Sequence, residues 1–95
     1  MNEIKRKRLE KRILHLLGDL YYKKLKDPRI AMVTFLECKL SEDASLVEIY
    51  FSVYGSEEEK NETLKGLIHA AGYIRSKIAE NIQMKNAPKV FFKPV

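Results

Sequence analysis

Between Asn2 and Leu25 the apolar residues Leu9, Ile13, Leu16, Leu17 and Leu20 recur at spacings of three and four, which predicts an amphipathic helix whose apolar stripe must be covered. A chain of 95 residues has room for one hydrophobic core and no second, so the cover has to come from the same single domain, residues 1–95. Ile4 falls off the stripe and predicts a frayed first turn. Asp27-Pro28-Arg29 predicts the end of the helix, because proline disfavours helical geometry in the residue before it.

Strands supply the cover. Ile30 to Leu40 is rich in strand formers but changes phase, with Val33 and Phe35 on one parity and Leu36, Cys38 and Leu40 on the other; a bulge near Phe35 or Leu36 reconciles them. After the polar turn Ser41-Glu42-Asp43-Ala44-Ser45, Val47, Ile49, Phe51 and Val53 alternate with Glu48, Tyr50, Ser52 and Tyr54, so the two strands read as an antiparallel hairpin ending at Gly55. Ser56 and Glu59 fit a capping box, and Leu64, Leu67, Ile68 and Ala71 continue at helical spacing. Ile74, Ile78 and Ile82 then repeat every four residues. Gly72 stands between the two runs, and glycine costs about 1 kcal/mol relative to alanine inside a helix, so a kink or break is expected there. Asn86-Ala87-Pro88 closes the segment, and Lys89 to Lys93 reads as a short strand. The expected class is α+β in the order α-β-β-α-α-β, with a three-stranded sheet and a helix-kink-helix at Ala70-Ala71-Gly72.

Eighteen Lys and Arg against 13 Asp and Glu give a net charge of +5, and the charges are segregated. Met1 to Arg29 holds 10 basic and 4 acidic residues, Ile30 to Thr63 holds 2 and 8, and Leu64 to Val95 holds 6 and 1. The folded molecule is bipolar if the basic opening and the basic close meet, and such a molecule favours an anionic partner. No run approaches the roughly 20 apolar residues needed to cross a membrane, and the N-terminus lacks the apolar stretch of a signal peptide. A soluble, cytoplasmic protein is expected. The single Cys38 excludes an internal disulfide, and with only His15 and His69 no Cys/His zinc constellation can be assembled.

Catalysis needs convergent reactive groups. His15 lies beside Arg12 on the polar side of the first helix and His69 just before the small-residue break, neither with a Cys or Ser partner, so both read as surface histidines. Glu57, Glu58 and Glu59 form a carboxylate cluster, yet the helix dipole favours acidic residues in a first turn. The glycines Gly18, Gly55, Gly66 and Gly72 are scattered and make no phosphate-cradling loop. No catalytic residue, metal, cofactor or small-molecule substrate is expected. The cations remain. Lys5, Arg8 and Arg12, spaced by three and four with Lys11 beside them, project in one direction and can act as phosphate contacts; the same spacing also serves a solvated face that keeps a small protein soluble. A membrane-surface helix is the weaker reading, since Leu9 to Leu20 are needed by the core. Ala70-Ala71-Gly72 permits another backbone to approach, and a helix restarting there would offer free amides to phosphate; close packing on a sheet favours the same small residues. Arg75 and Lys77 follow at once and tilt that choice toward an anion site. Valine at Gly72 is accordingly expected to cost both binding and stability. Tyr50 and Tyr54, on the outward parity, either stack on bases or pack under another element.

The element order and the kink, taken together, resemble the type II KH-like domain of the ribosome-binding factor A family nearly end to end. The resemblance is carried by the basic amphipathic first helix, Asp27-Pro28-Arg29, Val33-Thr34 leading to Leu40-Ser41, and Ile49-Tyr50-Phe51-Ser52 with Gly55. Ala70-Ala71-Gly72 with Ile74-Arg75 and Pro88 before Val90 and Phe92 complete it. The family's Ala-x-Gly kink stands where ordinary KH domains have a Gly-x-x-Gly loop. The resemblance implies a monomeric, non-enzymatic factor that binds the free 30S ribosomal subunit and the 5′-terminal region of its 16S rRNA during late processing and in adaptation to cold. It places RNA on Lys5, Arg8, Lys11, Arg12, Ala70, Gly72, Arg75, Lys77 and Lys85. Gln83 and Lys85 stand where relatives often carry two arginines, which implies a weaker phosphate grip. The sequence stops at Val95 without the C-terminal tail of many members, so no role of that tail is expected. The other reading is a general single-stranded RNA-binding KH-like module with no ribosomal role.

Overall fold

The structure, a computed structural model, describes residues 1–23 and 32–95. Asp27-Pro28-Arg29 and the strand start expected at Ile30 lie outside the described residues. Five elements follow one another: α1 (Glu3–Lys23), β1 (Val33–Leu40), β2 (Leu46–Val53), α2 (Glu57–Asn81) and β3 (Lys89–Pro94). The sheet order is β1-β2-β3, with β1 antiparallel and β3 parallel to β2. Helix α1 packs on β1 and α2 on β3, and the core lies between the helices and one face of the sheet.

The stripe read from the sequence becomes that core. Leu9, Ile13, Leu17 and Leu20 are buried, while Leu16 sits half-buried on the flank. The first turn is formed rather than frayed: the Lys5 amide donates to Asn2 Oδ1 at 2.8 Å, an N-cap that satisfies one of the free amides of a helix start, although Ile4 is 71% exposed. Two side chains of α1 fasten it to the sheet. The Glu10 carboxylate accepts from the Leu40 amide at 2.8 Å and the Tyr21 hydroxyl from the Val33 amide at 3.3 Å, which occupies donors that an edge strand would otherwise leave open.

The phase change in β1 is resolved by a bulge. The register shifts between Phe35 and Glu37, so Leu36 is the extra residue and is exposed. Val33 and Phe35 before it, and Cys38 and Leu40 after it, therefore all reach the helix side. Val47, Ile49 and Phe51 of β2 and Phe92 of β3 complete the core, with the Phe51 and Phe92 rings edge to face at 6.2 Å.

Helix α2 begins with the expected capping box: the Glu59 amide donates to Ser56 Oγ at 3.2 Å and the Ser56 amide to Glu59 Oε1 at 3.1 Å. Gly55 has a φ of +156°, and a Cβ there would stand 3.0 Å from the Glu59 carboxyl carbon, so glycine is what lets the box close. The expected order α-β-β-α-α-β is corrected to α-β-β-α-β. Residues 57–81 are one helix that runs through Ala70-Ala71-Gly72 without a break. Leu67, Ile74 and Ile78 stay in phase across the glycine and are all fully buried, and that packing outweighs the local cost of about 1 kcal/mol. A Cβ at Gly72 would meet nothing within 4 Å, which reverses the stability expectation for this site. Gly72→Ala is expected to stabilise the fold by about 0.5 to 1 kcal/mol, measured as a raised urea midpoint; a lowered midpoint would show that the backbone at this turn is not helical.

Candidate nucleic-acid interface

The two helices run in opposite senses. Residues of the start of α1 share a groove of about 500 Å³ with the β1–β2 turn and with Gln83, Met84, Lys85 and Asn86 beyond the end of α2. The far end of α1, at Tyr21, instead lies near Val53 and Tyr54, just before α2 begins. The start of α1 and residues 83–86 therefore meet at one end of the molecule. The acidic first turns of α2, with Glu57, Glu58, Glu59 and Glu62, lie at the other; residues 24–29 of the basic opening block lie outside the described residues.

The lysines and arginines fall into two sets. Lys7, Lys39, Lys60, Lys65, Lys77 and Lys93 pair with carboxylates of Glu3, Glu37, Glu57, Glu62, Glu80 and Glu48. Lys5, Arg6, Arg8, Lys11, Arg12, Arg75, Lys85 and Lys89 have no carboxylate partner among the described residues. Lys5 and Lys85, eighty positions apart in the chain, line the same groove. Arg12 lines a smaller one with His15, Leu16, Asp19, Asn81 and Ile82. Arg8 and Lys11 line a third, of about 510 Å³, between α1 and β1, with Lys7, Leu14 and Glu37. Helix α1 thus carries cations to grooves on both of its flanks.

The expected residues of α2 are placed differently. Ala70 is half-buried against the core. Gly72 is exposed with open space above it. The Arg75 guanidinium donates from Nε and Nη2 to the Ala87 carbonyl at 3.1 and 3.0 Å, a fork that holds the loop ahead of β3. Lys77 reaches Glu80 at 3.1 Å and stands 5.5 Å from the centre of the Tyr73 ring; the hydrogen bond and charge of Glu80 hold its ammonium above the usual lysine pKa. None of these four lines the grooves that hold Lys5, Arg8, Lys11, Arg12 and Lys85. In two of those grooves α1 is joined by residues of the segment 81–86. Tyr54 is 86% exposed, whereas Tyr50 is half-buried, with Lys39 Nζ 5.2 Å from its ring centre.

Asp43 was not singled out by sequence reasoning. Its Oδ1 accepts from Ser41 Oγ at 2.9 Å, Ser45 Oγ at 2.7 Å and the Ser45 amide at 3.0 Å. These bonds, the Ser45 ones first, hold its carboxyl below the ordinary value. The Ser-x-Asp-x-Ser spacing was the available signal, since such side chains close turns on their own backbone.

Cys38 is chemically quiet. Its thiol donates to the Glu10 carbonyl at 2.9 Å, and burial, with the nearby Glu10 carboxylate second, pushes its pKa from 9.0 up to about 12. A pKa raised on folding favours the native state up to the unfolded value, and that advantage is lost as pH climbs from 9.0 toward 12. At pH 8 native Cys38 is expected to react with iodoacetamide roughly a thousandfold more slowly than the urea-unfolded chain, in proportion to its thiolate fraction; equal rates would refute the burial. Among the described residues no group of three or more His, Cys, Asp or Glu is placed to hold a metal ion, and no helix is long and apolar enough to cross a membrane.

Known proteins match this chain over nearly its whole length. Its fold matches the solution NMR structure of a Thermotoga maritima protein described as a ribosome binding factor A, with 35% identity and a TM-score of 0.84 over 98% of this chain and 90% of that one. The crystal structure of ribosome-binding factor A from Thermus thermophilus matches with 25% identity and a TM-score of 0.81, covering 94% of each chain. A third match is a homology model of the Thermus thermophilus ribosome binding factor A, fitted into a cryo-EM map of its complex with the 30S subunit. It has 26% identity and a TM-score of 0.61 over 85% of this chain and 92% of that one. The sequence model of the family itself matches residues 5–94, and the chain belongs to the ribosome-binding factor A family.

Proposed function

We propose that this chain is an assembly factor of the bacterial 30S subunit that binds the immature particle and its 16S rRNA in the 5′-terminal region. It serves late 16S rRNA processing and growth in the cold. On this reading it is a cytoplasmic monomer that catalyses no reaction, and its α+β fold is of the type II KH-like kind, with Ala70 and Gly72 marking where an RNA backbone approaches. The observation that carries the proposal is that Lys5 of α1 and Lys85 line one groove at one end of the molecule, in a family one of whose members has been fitted to a 30S complex. Cations without internal partners keep their full attraction for phosphate, and neutralising phosphates releases condensed counterions. Lys5, Arg8, Lys11, Arg12 and Lys85 form the principal grip; Arg75 and Lys77 act from the adjoining surface of α2.

The test is cofractionation of the expressed protein with free 30S particles and not with 70S ribosomes. Binding to single-stranded 16S fragments should fall with salt at a log-log slope near −3, since four or more contacts each contribute about −0.7. Recovery in the 70S fraction alone, or a slope close to zero, would sink the proposal.

A further inference from the structure

The groove at the basic end contains more than cations. Lys5 and Lys85 line it together with Leu9, Asp43, Met84 and Asn86, so positive, apolar and hydrogen-bonding surface converge in one cavity of about 500 Å³. Lysines beside the exposed Met1 and half-buried Met84 thioethers suit a nucleotide, which carries a charged phosphate and an apolar base face. Asp43 is out of place in a site for phosphate alone. Asp43 accepts through Oδ1 three of the bonds that close the β1–β2 turn, from Ser41 and Ser45, beside the backbone and Ser41 Oγ bonds that tie Ser41 to Ala44 and Leu46. The Asp43 Oδ2 has no partner among the described residues, and neither Lys5 nor Lys85 pairs with it. The turn therefore presents a fixed, charged acceptor at the same groove that holds the two cations.

We infer that this groove takes one unstacked nucleotide of the RNA strand and that Asp43 reads its base, accepting through Oδ2 from an exocyclic amino group. Lys5 and Lys85 hold the flanking phosphates. The inference rests on the RNA-binding reading above and adds a base preference to it. An ionised carboxylate only accepts hydrogen bonds. Cytosine offers it the N4 amino group, whereas uracil carries a carbonyl at the same position, so two lone pairs would face each other. The two bases are alike in size and isolate this one contact.

Fluorescence anisotropy of the full chain with labelled octacytidylate and octauridylate, at one low salt concentration, tests the inference. The wild type is expected to bind the cytidine oligomer about tenfold more tightly, the scale of one charge-assisted hydrogen bond to a ligand. Asp43→Asn keeps the oxygen on which the serines close the turn, and its amide nitrogen can donate to the uracil carbonyl. The preference should vanish or invert without any weakening of uridine binding. Lys85→Ala should weaken both oligomers by one common factor. Equal wild-type affinities overturn the inference, and this comparison needs no variant to fold. An Asp43→Asn variant that loses both oligomers equally also overturns it, by reducing Asp43 to a turn residue. Binding without preference leaves the RNA reading intact. Failure to bind either oligomer overturns the inference, and 30S cofractionation then shows whether the RNA reading falls with it.

Discussion

Lys5, Arg8 and Arg12 changed together to Glu are expected to abolish cofractionation with 30S particles while moving the thermal midpoint by no more than about 5 °C. None of the three has a carboxylate partner to lose among the described residues, and exposed charges contribute little each to folding. At an RNA surface, by contrast, three attractions become three repulsions. Sedimentation of the variant with purified 30S particles, beside a melt followed by circular dichroism, reads both quantities. If the variant melts normally and still travels with 30S particles at wild-type levels, α1 is only a solvated face, and the RNA must lie on Lys85, Arg75 and Lys77.

Phe51→Ala is expected to destabilise the fold by about 3 to 5 kcal/mol, the cost of a large cavity in a packed core. A small domain of this kind has only about 5 to 15 kcal/mol in all. Phe51 is almost fully buried at the centre strand and also loses its edge-to-face contact with Phe92. Urea unfolding measures the loss, and a change below about 1 kcal/mol would mean that the centre of the sheet is not the centre of the core. Leu16→Ala, which the sequence pattern ranks with the core, should cost less. Leu16 is half-buried and lines the groove shared with Arg12 and Asn81, so the site can relax or admit water.

What was legible in the sequence is whatever local periodicity encodes. The stripe of α1, the hairpin, the capping box at Ser56 and Glu59, and even the bulge at Leu36 could be read because each is a pattern among near neighbours. Gly72 misled for the same reason. A glycine penalty is visible locally, while the burial of Leu67 and Ile74 on either side, which overrides it, depends on the sheet beneath. Arg75 shows a second limit: it reads as a free cation until the structure places the Ala87 carbonyl between its Nε and Nη2 donors. The pairing of Lys5 with Lys85 in one groove was beyond any local pattern, because it needs α1 and α2 to run oppositely across the same sheet. The basic blocks at the two ends of the chain hinted at it only in aggregate.

The parallel pairing of β2 with β3 has a consequence for the order in which the chain folds. The β1–β2 hairpin is closed by a five-residue turn, Ser41 to Ser45, whereas Leu46 and Lys89, which stand opposite each other, are separated in sequence by the whole of α2. Closing a longer loop costs more entropy, about 0.6 kcal/mol for each doubling of length, so the hairpin with its α1 cover organises first and β3 docks last. Truncating Val90 or Phe92 therefore speeds unfolding more than it slows folding, whereas truncating Ile49 slows the search itself. The amides of β3 exchange with solvent through an opening that leaves the hairpin intact, and those of β2 wait for the entire molecule to come apart.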